Sequence, residues 1–167
     1  MKRVLAGVVM AMTLVPALAS AQSMVILTRH AERADGQATM TTASGAPADP
    51  KLSAAGEARA AKLAAMLAES GITAMFTTEF ARTKDTAAPL AAKLKLTPEV
   101  VPASKTADLI GKITARSKDV VFVVGHSNTV PAIIKALGGP DVTIGDNDYD
   151  NLFIYVPLTK SLTKIKY

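Results

Sequence analysis

From Met24 onward, short apolar runs bounded by turn residues alternate with alanine-rich stretches of helical period, and this alternation constrains the fold more than any other feature of the chain. A chain of this pattern buries a mainly parallel sheet between helices. The predicted strands are Met24–Thr28, Ile72–Thr77, Glu99–Val101, Val120–Val124, Leu152–Val156 and Leu162–Lys166. Val120–Val124, all β-branched or aromatic, is the best candidate for a buried strand. Predicted helices cover Ala54–Glu69, with Ser53 as N-cap and Gly71 beyond the end, then Phe80–Lys93, Ala107–Ala115 and Asn128–Leu137. The expected class is therefore α/β, in three layers, with helices on both faces of the sheet. No internal repeat is visible. The segment from Ala34 to Pro50, rich in Gly, Ala, Thr, Ser and Pro, reads as a mobile loop or a substrate flap.

The first 21 residues read as an address. Lys2 and Arg3 precede the apolar run Val4–Val15, which is too short to span a bilayer, Pro16 breaks it, and Ala19-Ser20-Ala21 forms a small-x-small cleavage site. Cleavage is expected after Ala21, with a retained anchor as the alternative. Either way the globular part, 22–167, is expected to be exported, periplasmic or secreted, and after cleavage to have no stable membrane association. That length suits one domain with a core of its own. The absence of cysteine excludes thiolate metal sites and thiol catalysis. Without Lys2 and Arg3, 17 of the 19 basic residues face 14 acidic ones, a net charge of +3. The basic residues are scattered with few aromatics between them, so a nucleic-acid surface is not indicated. A small anionic substrate is compatible with this balance, which leaves the oligomeric state open.

Both histidines of the chain follow core strands. The first predicted strand delivers Arg29-His30-Ala31-Glu32-Arg33 and the strongest one delivers Gly125-His126-Ser127-Asn128. Ligands of open α/β sheets bind at the carboxyl ends of the strands, so the two histidines are expected to share one crevice. Cationic neighbours lower a histidine's pKa, so His30 is expected to be neutral and nucleophilic near pH 7. Arg29, Arg33 and Arg82 offer forked hydrogen bonds to the oxygens of a transferring phosphoryl group.

Three blocks resemble the histidine phosphatase superfamily, the phosphoglycerate mutase-like fold. Arg29-His30-Ala31 matches its Arg-His-Gly signature with alanine in the glycine place, and Arg33 matches an arginine three residues beyond the histidine. The block TTEFARTKDTA, 77–87, is similar to Ser/Thr-x-x-x-Arg-x-x-x-Thr-Ala and puts Arg82 in the phosphate pocket; VVGHSNT, 123–129, matches the block around a second catalytic histidine. KLSAAGEARA, 51–60, is similar to the family's Leu-Ser/Thr-x-x-Gly helix start. The resemblance implies catalytic roles for His30, Arg29, Arg82 and His126, with His30 becoming a phosphohistidine and His126 supplying a further donor to the phosphoryl oxygens. Arg33, Ser127 and Asn128 are then expected at the substrate. It implies neither metal nor cofactor, and a small phosphorylated substrate as partner.

Two rival readings can be tested on the residues. Gly125-His126-Ser127-Asn128-Thr129 is similar to an esterase nucleophile elbow, but Thr129 breaks the motif and no histidine follows Ser127. DNDYDN, 146–151, begins like a calcium loop, yet Asn151 stands in the glycine place and Pro157 in the glutamate place. That stretch is either a solvated acidic turn or, if the fold returns it to the crevice, a source of substrate contacts from Asp148, Tyr149 or Asn151.

The chain departs from the family pattern at the general acid. Ser127 follows His126 where one branch has aspartate, and only Glu99 and Asp108 lie between Arg82 and His126 as counterparts of the glutamate used by the other branch. Lack of the acid is similar to small phosphohistidine protein phosphatases, which act in the cytoplasm, whereas the first 21 residues indicate export. The expected function is hydrolysis of a small phosphomonoester through a phosphohistidine on His30. The alternatives are a phosphohistidine phosphatase and a non-catalytic phosphate-binding domain. A mutase is disfavoured by the short span between Arg82 and His126.

Overall fold

The computed structural model describes residues 23–36 and 49–167. The expected signal segment and most of the expected flap lie outside the described residues. The described chain orders β1 (Met24–Arg29), α1 (Ala54–Met66), β2 (Ile72–Thr77), α2 (Ala81–Leu94), β3 (Glu99–Val100), a 3-10 turn at Ala103–Lys105, α3 (Thr106–Thr114), β4 (Val120–Gly125), α4 (Thr129–Ala136), β5 (Asn151–Val156) and β6 (Ser161–Lys166).

The strands form one six-stranded sheet in the order β3-β2-β4-β1-β5-β6. β3, β2, β4 and β1 are mutually parallel, while β5 runs antiparallel to β1 and β6 antiparallel to β5. The expected mainly parallel, three-layer α/β architecture is the one observed. One face of the sheet packs Leu27, Phe76, Val123 and Phe153 against Leu109 and Ile113 of α3 and Val130, Ile133 and Ile134 of α4. The opposite face packs Ile26, Met75 and Phe122 against Leu63 and Ala64 of α1 and Ala87, Leu90 and Ala91 of α2. The two-residue side-chain period of the strands divides the apolar residues between these two cores.

Local chemistry sets the boundaries. Ser53 caps α1 with its hydroxyl on the Gly56 amide, and Ser53 N–H itself donates to the Glu32 carbonyl at 2.9 Å. A side chain at Gly56 would strike the backbone of Glu32, so glycine lets the start of α1 lie against the segment that carries the first histidine. α1 stops at Met66, three residues before the expected end, because Leu67–Glu69 close it as turns. α4 starts at Thr129, with Asn128 at the cap position and no capping bond from its side chain. α2 lacks a capping side chain at Phe80, and the Ala81 amide instead donates to the Asp49 carboxylate at 2.7 Å.

Phe122 is fully buried between α1 and α2, whereas Met66 is 44% exposed. Phe122→Ala is expected to cost about 3–5 kcal/mol and Met66→Ala less than about 0.5 kcal/mol in urea-induced unfolding of the purified protein.

Candidate active site

The parallel pairing of β1 with β4 sets Arg29 beside Gly125, and the His30 amide adds a further bond to the Gly125 carbonyl at 2.9 Å. The residues that follow, His30 and His126, are thereby delivered side by side, with ring centroids 5.3 Å apart and nearly perpendicular planes. Gly125 itself must lack a side chain, since a Cβ there would meet the Thr129 hydroxyl and Val130. That hydroxyl accepts from the His126 amide at 2.9 Å and fixes the backbone of the second histidine.

Each expected site residue lines one cleft of about 450 Å³, which Phe80, Ala103, Ser104, Thr129 and Asp146 complete. Arg29, His30, Arg33, Arg82 and His126 are buried; Ser127 is half-buried and Asn128 exposed. His30 Nδ1 lies 2.8 Å from the Ala31 carbonyl, which only accepts, so Nδ1 carries the hydrogen and Nε2 keeps its lone pair. Ala31, in the place of the family's glycine, is fully buried against Leu52 and Ala60. Its amide donates to Thr86 Oγ1, which in turn donates to the Arg82 carbonyl at 2.7 Å. Two of the four threonines of the 77–87 block therefore have work of their own: Thr86 binds the first histidine loop to α2, and Thr78 reaches the second histidine, with its Oγ1 3.0 Å from His126 Nε2.

The arginines are held by different partners. Arg29 donates through Nη1 to the carbonyls of Gly145 and Asp146, at 2.9 and 2.7 Å, and its guanidinium lies 4.2 Å from the centre of the Tyr149 ring. Arg33 makes a forked pair with Asp35, at 2.9 and 2.5 Å. Arg82 stacks on Phe80 with its Cζ 4.1 Å from the ring centre, and its Nη1 is 3.8 Å from the Asp49 carboxylate.

Burial is the main reason both histidines are neutral. It pushes His30 down to about 3, with His126, Arg29 and Arg82 adding to the shift and the Ala31 carbonyl opposing it. His126 is pushed to about 4, again by burial first and then by Arg82, Arg29 and Arg33. The expectation of a neutral His30 holds, but its stated cause is corrected: desolvation outweighs the cationic neighbours. Burial also lowers the Arg29 and Arg82 guanidiniums.

The acidic stretch is only partly what its sequence suggested. Tyr149 packs on Arg29 with its ring 6.1 Å from that of His30, but Asp148 turns back to the Gly145 amide, and Asn151 is buried within β5. Neither Asp148 nor Asn151 lines the cleft; Asp146, which sequence reasoning passed over, does. Glu99 and Asp108 are also outside it, and Glu99 pairs with Lys112 at 2.7 Å. Phe80 and Thr78 were likewise missed, although both lie inside the quoted 77–87 block. Among the described residues no cluster of three or more histidine, aspartate or glutamate side chains could hold a metal ion.

The family model of the histidine phosphatase superfamily, branch 1, matches residues 25–108, and the chain belongs to that superfamily. Among solved structures it is similar to a mycobacterial glucosyl-3-phosphoglycerate phosphatase with inorganic phosphate, at 14% identity and a TM-score of 0.63 over 86% of this chain and 95% of that one. It is similar also to a phosphoserine phosphatase of Entamoeba histolytica in complex with 3-phosphoglyceric acid, at 10% identity and a TM-score of 0.63 over 86% and 95% of the two chains. A third is the protein histidine phosphatase SixA with tungstate, at 18% identity and a TM-score of 0.61 over 85% and 94%. No curated protein sequence matches significantly.

Because both folded pKa values lie below the 6.5 of an ordinary histidine, the unfolded chain binds more protons than the folded one at mildly acid pH. Stability is therefore expected to fall as pH drops from 6.5 towards 4, by up to about 1.4 kcal/mol per pH unit for each histidine. Urea unfolding between pH 4 and 7 should show this slope, and a His30→Gln/His126→Gln variant should lose most of it.

Proposed function

We propose that the protein is a phosphatase that hydrolyses a small phosphomonoester through a phosphohistidine on His30. The observation that carries this reading is the lone pair of His30 Nε2, freed by the Nδ1–Ala31 bond, in a cleft lined by three arginines and a second histidine. Arg29, Arg33 and Arg82 would bind the non-bridging oxygens and spread the negative charge of the loose transition state. His30 Nε2 then attacks phosphorus in line as the ester P–O bond breaks, and water displaces phosphate from Nε2 in the second step. Ser127 and Asn128, on the rim, would meet the alcohol part of the substrate.

Family membership and the phosphatases among its structural neighbours support this reading over a non-catalytic phosphate binder. The arginines supply the positive charge that a metal supplies in other phosphatases, so the reaction is proposed to be metal-independent. We also place the enzyme outside the cytoplasm, on the signal-like pattern of residues 1–21. This favours a small exported phosphomonoester over a cytoplasmic phosphohistidine protein as substrate.

Purified protein should release phosphate from part of a panel of sugar phosphates, glycerol phosphates and nitrophenyl phosphate, with chelator changing the rate less than about twofold and vanadate inhibiting it. An acid-labile, alkali-stable label should appear on His30 during turnover. His30→Ala should abolish both label and turnover, and Arg82→Ala should lower kcat/KM by about 100-fold or more. Vanadate binding without turnover of any ester would favour the non-catalytic alternative, and turnover of a phosphohistidine peptide alone would favour the protein phosphatase.

A further inference from the structure

The hydroxyl groups behind His126 fix where its proton sits. Thr83 Oγ1 is 2.8 Å from the Phe80 carbonyl and 3.2 Å from the Thr78 carbonyl, and a carbonyl can only accept. Thr83 therefore spends its one proton on the backbone. Thr78 Oγ1, 2.9 Å from Thr83 Oγ1, has to be the donor in that pair, which leaves only lone pairs facing His126 Nε2 at 3.0 Å. Nε2 must carry the ring hydrogen. A neutral imidazole has one such hydrogen, so Nδ1 of His126 is an acceptor. All three side chains are buried, and the chain of bonds ends on backbone.

This arrangement conflicts with a neutral His126 acting as a simple donor to phosphoryl oxygens, and it bears on the missing acid. Asp146 is the one carboxylic acid among the described residues lining the cleft. A phosphomonoester brings a proton of its own, since its second ionisation lies near pH 6.

We propose that Thr78, backed by Thr83, holds His126 in the Nε2–H form, so that Nδ1 takes the phosphoryl proton of the bound monoanion and returns it to the ester oxygen as the P–O bond breaks. The inference rests on the phosphatase reading above. The P–OH proton moves to Nδ1 and makes an imidazolium. The Nε2 pair of His30 forms the N–P bond, the P–O pair leaves with the ester oxygen, and that oxygen takes the proton from His126 Nδ1. The alcohol departs neutral, and His126 is again in its Nε2–H form. No other acid is consumed. In the second step water gives a proton to Nδ1 as its oxygen bonds to phosphorus, and the N–P pair returns to His30. Nδ1 then passes that proton to the departing phosphate, which leaves as the monoanion while His126 returns to its Nε2–H form.

The charged groups around His126 suit this cycle. Burial first, and then Arg82 from α2, Arg29 from β1 and Arg33 just beyond β1, favour its neutral form. A phosphoryl group set among the same arginines offsets their charge and lets the imidazolium form. His30, just after β1, is held neutral chiefly by its burial. Thr78 is thus a positioning residue and His126 the group that touches the substrate.

Nitrogen-15 NMR of the wild-type protein reads the tautomer without relying on any variant, and the hydrogen should be on Nε2 of His126. Thr78→Val should shift His126 away from that form, while Thr78→Ser should restore it. With an alkyl phosphate, whose leaving oxygen needs a proton, Thr78→Val should lower the single-turnover rate by at least about tenfold; with dinitrophenyl phosphate, whose leaving group does not, by less than about threefold. Wild-type kcat/KM for the alkyl ester should fall above about pH 6 with the monoanion fraction, and Asp146→Asn should reduce rates evenly across leaving groups. A hydrogen on Nδ1 in the wild type overturns the proposal. So does a loss confined to poor leaving groups in Asp146→Asn and absent from Thr78→Val, which would give the proton to the carboxylic acid. If the wild type neither turns over nor labels on His30, the phosphatase reading fails and takes the relay with it. The NMR result would still report the hydroxyl chain by itself.

Discussion

The hydrogen bond from the His30 amide to the Gly125 carbonyl is the hinge of the molecule's chemistry. It extends the β1–β4 ladder one step past the strand ends, and it joins residues 95 positions apart in sequence. Both strands are central in the sheet and buried on both faces, so their register is set by two cores at once. A slip of one residue would turn every apolar side chain of one strand to the wrong core and would separate the histidines by the same step. The spacing of the two rings is therefore protected by the same packing energy that holds the sheet together.

The site in turn holds part of the fold. Arg29 sends Nη1 to two carbonyls of the loop between α4 and β5, and Tyr149 of the same loop lies over its guanidinium. Burying a guanidinium is costly unless its donors are met, and here two backbone oxygens meet Nη1 across more than 110 residues of sequence. This contact brings the loop to the carboxyl end of β1, next to which the antiparallel β5 begins. A residue at the centre of the cleft is thus also the anchor of one of its walls.

Sequence reading went furthest where one local rule decides the outcome. Val120–Val124 could hardly be anything but a buried strand, and two histidines directly after two such strands point to one crevice. It stopped where long-range contacts decide. Nothing in DNDYDN says that Asp146 will face the cleft while Asp148 folds back on Gly145, because the bonds from Arg29 set that register. The capping of α2 by Asp49 is of the same kind, a carboxylate 32 residues away doing what Phe80 cannot. The role of Thr78 was hidden for another reason. Its position in the 77–87 block was plain, but the direction of a hydroxyl proton follows only from the full set of its neighbours. The charge state of His30 was legible, but its cause was misread: the adjacent arginines are visible in sequence, and burial is not.

One feature of the arginines reaches beyond the geometry of binding. Arg33 is already forked on Asp35, and Arg82 lies near Asp49, so two of the three cleft arginines have a carboxylate beside them from outside the cleft lining. An arriving anion would enter as a competitor against tethered ligands, Asp35 held by a short stretch of chain and Asp49 by the fold. An anion leaving the cleft would meet the same rivals in reverse, since Arg33 and Arg82 each have a carboxylate within reach. Such built-in competition weakens the hold on every anion, and so keeps a pocket of three arginines from binding any one of them too tightly to let go.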